Sequence, residues 1–278
     1  MGCLKSGTRS EIGVLLYNNG RFYEGEWVGN KREGQGYEVY SNGAKYLGQY
    51  QANKAHGKGL YTWTNGDAYE GEWVRGLKHG KGMWKGQDGS TYVGEWFEGK
   101  QQGAGVHRWS NGDRYEGQWL NSLKHGQGTD LFANGDQYQG SYANGKPNGE
   151  GTYWWNNGAS YQGEFKDGQK CGKGKWRKNN QPHCSQYEGE FVADKKEGYG
   201  VFTWDSGNVY RGHYSKDQRN GQGEMQYKNG AVYKGNWQDG KQHGQGWFKM
   251  ADGTVKEGIF HADEFGPDRD ARIKIEEE

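Results

Sequence analysis

No segment of this chain approaches the roughly 20 consecutive apolar residues needed to span a bilayer as a helix, and no secretory apolar stretch follows Met1. Proline is scarce, with 3 residues, and so is cysteine, with 3 (Cys3, Cys171 and Cys184). An odd, sparse cysteine set argues against a disulfide framework and suits a reducing compartment, so the expected location is the cytosolic side. Hydrophobic residues of all kinds make up only 31% of the chain, too little for a thick aliphatic core. Neither sign of charge dominates: 36 basic and 35 acidic side chains leave a formal net charge of +1. That balance lacks the basic stripe of a nucleic-acid binder and argues against electrostatic membrane binding.

What the chain has in abundance is glycine, 52 residues, together with 13 Trp and 20 Tyr. Low hydrophobicity with much glycine ordinarily signals disorder. Regularly spaced rings oppose that reading, because each aromatic covers roughly 150–250 Å². A tyrosine returns every 23 residues, at Tyr23, Tyr46, Tyr69, Tyr92, Tyr115, Tyr138 and Tyr161; after a step three residues longer it continues at Tyr187, Tyr210 and Tyr233. Two residues beyond each tyrosine stands a glycine. Two further on comes a second ring: Trp27, Tyr50, Trp73, Trp96, Trp119, Tyr142, Phe165, Phe191, Tyr214 and Trp237. A Gly-x-Gly follows, such as Gly57 and Gly59, and most units close on a pair such as Asn42-Gly43 or Asp88-Gly89. A strict internal period of this kind marks one supersecondary unit stacked many times. Asn-Gly and Asp-Gly pairs predict type I′ turns, in which both central residues take positive φ. Each unit therefore reads as strand, loop of about six residues, strand, tight turn.

Parity within a strand assigns the faces. In Tyr69-Glu70-Gly71-Glu72-Trp73 the rings and the glycine share one face and the glutamates the other. Rings of one strand are expected to lie over glycines of the next, a known way to stabilise strand glycines. The opposite face carries Glu24, Glu26, Glu70, Glu72, Glu95, Glu188 and Glu190 against Lys58, Lys81 and Lys173, and reads as solvated with cross-strand charge pairs. Its sign changes locally at Arg211, His213 and Lys234.

These residues resemble the MORN (membrane occupation and recognition nexus) repeat, whose pattern is Tyr-x-Gly-x-Trp, then Gly-x-Gly, then a closing Asn-Gly or Asp-Gly. The resemblance covers residues 23 to 255. It implies an all-β fold: an elongated single-layer antiparallel β-sheet of tandem 23-residue β-hairpins, twisted along its length, with a concave aromatic groove. At two strands per repeat and about 4.8 Å per strand, ten repeats would span about 95 Å. Residues 1–10 read as a flexible leader and 11–22 as a half-repeat cap with Gly13 and Asn19-Gly20 in frame. Residues 256–278 read as a capping strand and a charged tail. The unit at 161–186 departs from the pattern: Lys175 to Gln186 lacks an Asn-Gly turn, which predicts a longer hairpin loop.

Other motifs are weaker. No Gly-x-Gly opens a helix after a buried strand, so nucleotide binding is not expected. His56, His79, His125 and His243 recur at one position, but hairpins about 10 Å apart cannot share one metal ion between them at bond lengths of about 2.1 Å. Cys171, His183 and Cys184 lack a fourth ligand for zinc. No catalytic, cofactor or metal residues are assigned. Met1-Gly2-Cys3-Leu4-Lys5-Ser6 fits N-myristoylation at Gly2 with palmitoylation at Cys3, and two chains give a stable anchor where one does not. The expected function is a non-enzymatic protein-interaction scaffold. The twenty periodic rings would form its partner-binding groove, with Trp73, Trp96 and Trp119 as anchors. Expected partners are other proteins of a multi-subunit assembly or a second copy of the chain, not nucleic acid. By resemblance to MORN proteins of cilia and radial-spoke heads, the assembly is expected to be cytoskeletal or ciliary. The alternative is an acylated tether joining a membrane to such partners.

Overall fold

The computed structural model describes residues 11–266; the acylation expected at Gly2 and Cys3 and the charged tail beyond Gly266 lie outside them. Among the described residues there are 23 strands and no helix, and the strands belong to one open antiparallel sheet. Their contacts form two compact units. Unit 1 holds residues up to Ala133 together with Tyr142–Gly145; unit 2 holds Asn134–Ser141 and the residues from Lys146 onward. In unit 1, β1 (Glu11–Leu16) pairs with β2 (Phe22–Val28), β2 with β3 (Lys31–Val39), and β3 with β4 (Lys45–Gln51). The meander continues strand by strand to Leu123–Leu131. Unit 2 repeats this order from Lys146–Trp154 to Glu264–Phe265.

Register follows from the glycines. In unit 1, Gly13, Gly25, Gly36, Gly48, Gly59 and Gly71 stand side by side on successive strands, and the row runs on to Gly128. Unit 2 has its own row, from Gly151 to Gly258. The bare row makes a trough that the first tyrosines fill. A methyl group on Gly71 would sit 2.6 Å from the Tyr69 hydroxyl and 2.5 Å from the Gly82 Cα, so nothing larger than hydrogen fits. The buried phenol then finds its partner inside the same strand: Tyr69 donates to the Glu72 carbonyl at 3.1 Å, and Tyr92 to that of Glu95 at 3.0 Å.

The second ring joins one repeat to the one before it. Trp73 packs edge-to-face on its own Tyr69 at 5.2 Å and on Tyr46 of the preceding repeat at 5.4 Å. Its indole N–H donates to the Gly59 carbonyl at 3.0 Å. Trp96 does the same with Tyr92, Tyr69 and Gly82. At the start of unit 1, Trp27 donates to Gly13 in the half-repeat strand. At the far end of unit 2 the capping strand Val255–His261 lacks the tyrosine, yet Phe260 takes the second-ring place and closes over Tyr233 at 5.0 Å.

The two turns exchange the roles expected of them. The six-residue loop is absent: β2 and β3 run on to a two-residue connection, as do the later pairs. Between β2 and β3 only Gly29 takes positive φ, whereas in the later pairs both residues do, as at Ala52 (46°) with Asn53 (68°) and Asn121 (52°) with Ser122 (66°). This is the conformation that the Asn-Gly pairs were expected to adopt. The apparent loop is strand interrupted by a bulge after the first glycine, with Gly57 and Gly80 at φ 62° and 54°. At the Asn-Gly pairs only the glycine has positive φ, such as Gly43 at 89°. Gly43 donates to Tyr40 and Tyr40 to Ala44, while Asn42 Oδ1 accepts from the Ala44 N–H, which is a type I turn closed by a left-handed glycine rather than type I′.

Opposite the rings, the expected Glu–Lys pairing is also altered. Glu26 accepts from the Gln35 backbone N–H at 2.8 Å and Glu164 from that of Lys173 at 3.0 Å. These carboxylates tie down the bulges rather than the lysine ammoniums. Side-chain pairs on this face do occur elsewhere, at Lys175–Glu188 (3.2 Å) and Lys234–Glu224 (3.1 Å). The longer hairpin in the seventh repeat is present: Arg177 pairs with Gln186, and Lys178 donates to the Ser185 carbonyl.

Candidate functional site

The structure corrects the placement of the expected groove residues. The ten first tyrosines are 0–1% exposed, and nine of the ten second rings are only 3–6% exposed, with Trp27 half-buried. These twenty rings are the core layer, sealed by the neighbouring repeats, and they offer a partner almost no surface. Burial pushes the phenol pKa values up, to about 12 at Tyr23 and Tyr233, so the phenols remain neutral donors to the backbone.

The accessible rings of this face come from the strand that follows the Gly-x-Gly. Its register places Tyr61 beside Tyr69, Trp84 beside Tyr69 from the other side, and His107 beside Tyr115. In several repeats another ring stands two residues on, though Gly86 takes that place after Trp84. In unit 1, Tyr61 and Trp63 lie 4.6 Å apart, and His107 stacks on Trp109 at 4.2 Å with an interplanar angle of 6°. In unit 2, Tyr153–Trp155 and Phe202–Trp204 lie 4.7 and 4.4 Å apart. All eight rings are half-buried. Burial, and secondarily Lys124, hold the His107 imidazole below its usual pKa, so it is a neutral ring at pH 7. The sequence carried a signal for these residues: a ring-x-ring pair after Gly-x-Gly in several repeats. It varies between copies, and a search for invariant positions passes over it.

Between the ring pairs stands a row of cations that was also missed. Arg32 lies over Tyr23 and Tyr50, Lys78 over Trp63, Tyr69 and Trp96, and Lys124 over Trp109, Tyr115 and Tyr142. Unit 2 has Lys170, Lys196 and Arg219 at the same position. A cation over an aromatic face gains about 0.5–2 kcal/mol. Two of them also hold buried carboxylates: Arg32 pairs with Glu38 at 2.8 Å and Lys124 with Asp130 at 2.5 Å. Glu38 is 1% exposed and accepts further bonds from Arg21 and Tyr50.

Lys78 has rings but no carboxylate, and burial lowers its pKa from 10.5 to about 8. The folded state disfavours the charged amine, so below about pH 8 Lys78 carries its full penalty. Between about 8 and 10.5 the unfolded chain binds more protons, and the penalty fades as pH rises. Lys78→Met is therefore expected to be at least as stable as the parent at pH 7, with its advantage shrinking by pH 10. Urea-unfolding midpoints of both proteins at the two pH values measure this.

A ladder of structurally equivalent hairpins with this ring and glycine register agrees with the sequence comparison. The family model for the MORN repeat matches residues 23–45, 46–68, 69–91, 92–114, 115–137, 138–160, 161–182, 187–209, 210–232 and 233–255. The chain belongs to the MORN repeat family. No curated protein matches this MORN-repeat chain. Among solved structures it is similar to the TCP10 domain of Danio rerio CPAP in complex with a peptide of Danio rerio STIL. That similarity is 11% identity and a TM-score of 0.43, covering 90% of this chain and 100% of that one. It is also similar to the Drosophila melanogaster SAS-4 (dCPAP) TCP domain in complex with a proline-rich motif of Ana2. There the identity is 11% and the TM-score 0.35, covering 57% of this chain and 85% of that one. TM-scores this low do not bear on what the MORN repeats here bind. Among the described residues no group of three or more His, Cys, Asp or Glu side chains is placed to hold a metal ion, and Cys171 and Cys184 are free thiols.

Proposed function

We propose that this chain is a non-enzymatic protein-interaction scaffold that holds an extended partner segment along the half-buried ring pairs. The observation that carries the reading is the division of the aromatic face into two layers. The invariant rings are consumed by packing between repeats, whereas Tyr61–Trp63, His107–Trp109, Tyr153–Trp155 and Phe202–Trp204 keep accessible faces. Rigid, partly exposed rings at regular intervals are what an extended peptide uses as anchor sites. The finer reading, a structural subunit of a cytoskeletal or ciliary assembly, rests on analogy with other MORN proteins.

The test is site-specific photo-crosslinking in the native cell. A benzophenone amino acid at Trp63, Trp109 or Trp204 is expected to capture a shared protein partner. The same group at Leu60, which lies on the opposite face, is expected to capture none of it. Capture from Leu60 alone would overturn the groove as the binding face.

A further inference from the structure

The groove cations sit nine residues after the first tyrosine of their repeats, and two recurring positions can neutralise them. One lies six residues further along the same strand: Glu38 serves Arg32 and Asp130 serves Lys124. The other is the second turn residue of the following hairpin, where Asp194 lies 4.0 Å from Lys170 and Asp217 lies 3.3 Å from Lys196. At Lys78 both positions are occupied by uncharged residues, Trp84 and Gly99. Gly99 only donates its N–H to the Lys78 carbonyl at 2.9 Å. The ammonium instead stands 3.9 Å from the Trp96 ring centroid, 5.5 Å from that of Tyr69 and 5.7 Å from that of Trp63. Arg219 in unit 2 also lacks both carboxylates, with Met225 and Gly240 at those positions. Its guanidinium, however, donates to the Gly240 carbonyl and shares a cavity with Asp263. Lys78 has no such relief.

We propose that Lys78 is the docking point for an aspartate or glutamate side chain of an acidic partner segment lying in the unit 1 groove. The inference rests on the groove reading above and assigns the occupant its chemistry. The chain makes such a pair twice from its own residues, Glu38 with Arg32 and Asp130 with Lys124; at Lys78 that position holds Trp84, so the carboxylate has to come from outside the chain. A partner carboxylate completes at Lys78 the pair that those repeats complete internally. Residues flanking that acid would meet the half-buried Trp63 ring, whose centroid lies 5.7 Å from the ammonium, so an apolar or aromatic neighbour is favoured. Lys124 has Asp130 to itself and Arg32 shares Glu38 with Arg21, whereas Lys78 has no carboxylate of its own, which favours it over both as the point that sets the register of the segment. A partly desolvated charge pair with ring walls gains more than an exposed one, because little water screens it.

The experiment selects short random linear peptides, displayed as a library, on the full chain, and measures the affinity of enriched peptides for three proteins. Against the parent, enriched sequences are expected to carry one Asp or Glu beside an apolar residue, and binding is expected to fall on Trp63→Ala. Against Lys78→Met, which keeps the stem and removes the unpaired charge, affinity is expected to fall about tenfold or more. Changing the peptide acid to its amide should cause the same loss on the parent and no further loss on Lys78→Met. Peptides that need Trp63 yet bind Lys78→Met equally well would overturn the Lys78 assignment and leave the groove reading standing. Failure to obtain any peptide dependent on Trp63 or Trp109 would overturn both. Lys78-dependent binding to phosphatidylserine vesicles, without peptide binding, would replace the protein partner by a lipid headgroup and overturn the proposal as stated.

Discussion

A chain carrying Trp96→Ala is expected to unfold about 3–5 kcal/mol more easily than its parent. Trp96 is 6% exposed and packs edge-to-face on Tyr92 at 5.1 Å and on Tyr69 at 5.2 Å. Truncation removes both ring contacts, opens a cavity between the third and fourth repeats, and takes the indole donor from the Gly82 carbonyl. It also strips Lys78 of its nearest ring. Urea unfolding gives the magnitude, and hydrogen exchange at amides between Tyr69 and Trp109 locates it, since neighbour-only contacts confine the damage. Trp63→Ala is expected to cost markedly less, because that ring is only half-buried. A loss below about 1 kcal/mol for Trp96→Ala would return this ring to the role first expected of it, an exposed anchor for a partner.

Gly82→Ala is expected to be among the most damaging single methyls in unit 1, at about 3 kcal/mol. The new Cβ would lie 2.6 Å from Cε2 of Tyr69. The ring cannot retreat, because its hydroxyl is bonded to the Glu72 carbonyl and Trp96 closes over it. Gly89→Ala is the control: its φ of 89° suits glycine, but nothing lies within 4 Å of an added Cβ. That change costs about 1–2 kcal/mol, through the backbone alone. The two mechanisms separate on a Tyr69→Ala background. There Gly82→Ala should add little further destabilisation, whereas Gly89→Ala should cost as much as before. Strict additivity of Gly82→Ala with Tyr69→Ala would show that the glycine row is not kept bare for the ring.

The same distinction explains what could be read in the sequence. Tyr69, Gly71, Trp73, Gly80 and Gly82 are fixed in type because each repeat packs against another copy of itself, and a periodic core needs periodic residues. Strand polarity, ring-over-glycine packing and the cap at Phe260 were therefore legible from spacing. The same invariant positions also suggest a binding groove, and there the structure differs. Residues repeated for packing are spent on packing; the surface left for a partner lies at Tyr61, Trp63, Trp84, His107 and Trp109, which vary from copy to copy. The cation row was hidden for a related reason. Arg32, Ala55, Lys78 and Gln101 hold equivalent positions with unlike chemistry, and their charge balance depends on residues six positions on or in the next hairpin. The turns were misassigned because Asn-Gly serves both a type I′ turn and a type I turn ended by a left-handed glycine; here the Asn42 side chain bonds the Ala44 N–H and favours the latter.

The tryptophan bonds point one way: Trp73 to Gly59, Trp96 to Gly82, Trp119 to Gly105. Each repeat thus seals the tyrosine of its predecessor, never that of its successor. A ribosome releases the chain in that same direction, so every hairpin that emerges finishes the one already outside. Within each unit, a growing chain need keep only its newest tyrosine unsealed, and Phe260 ends the process by closing the last of them without leaving another behind.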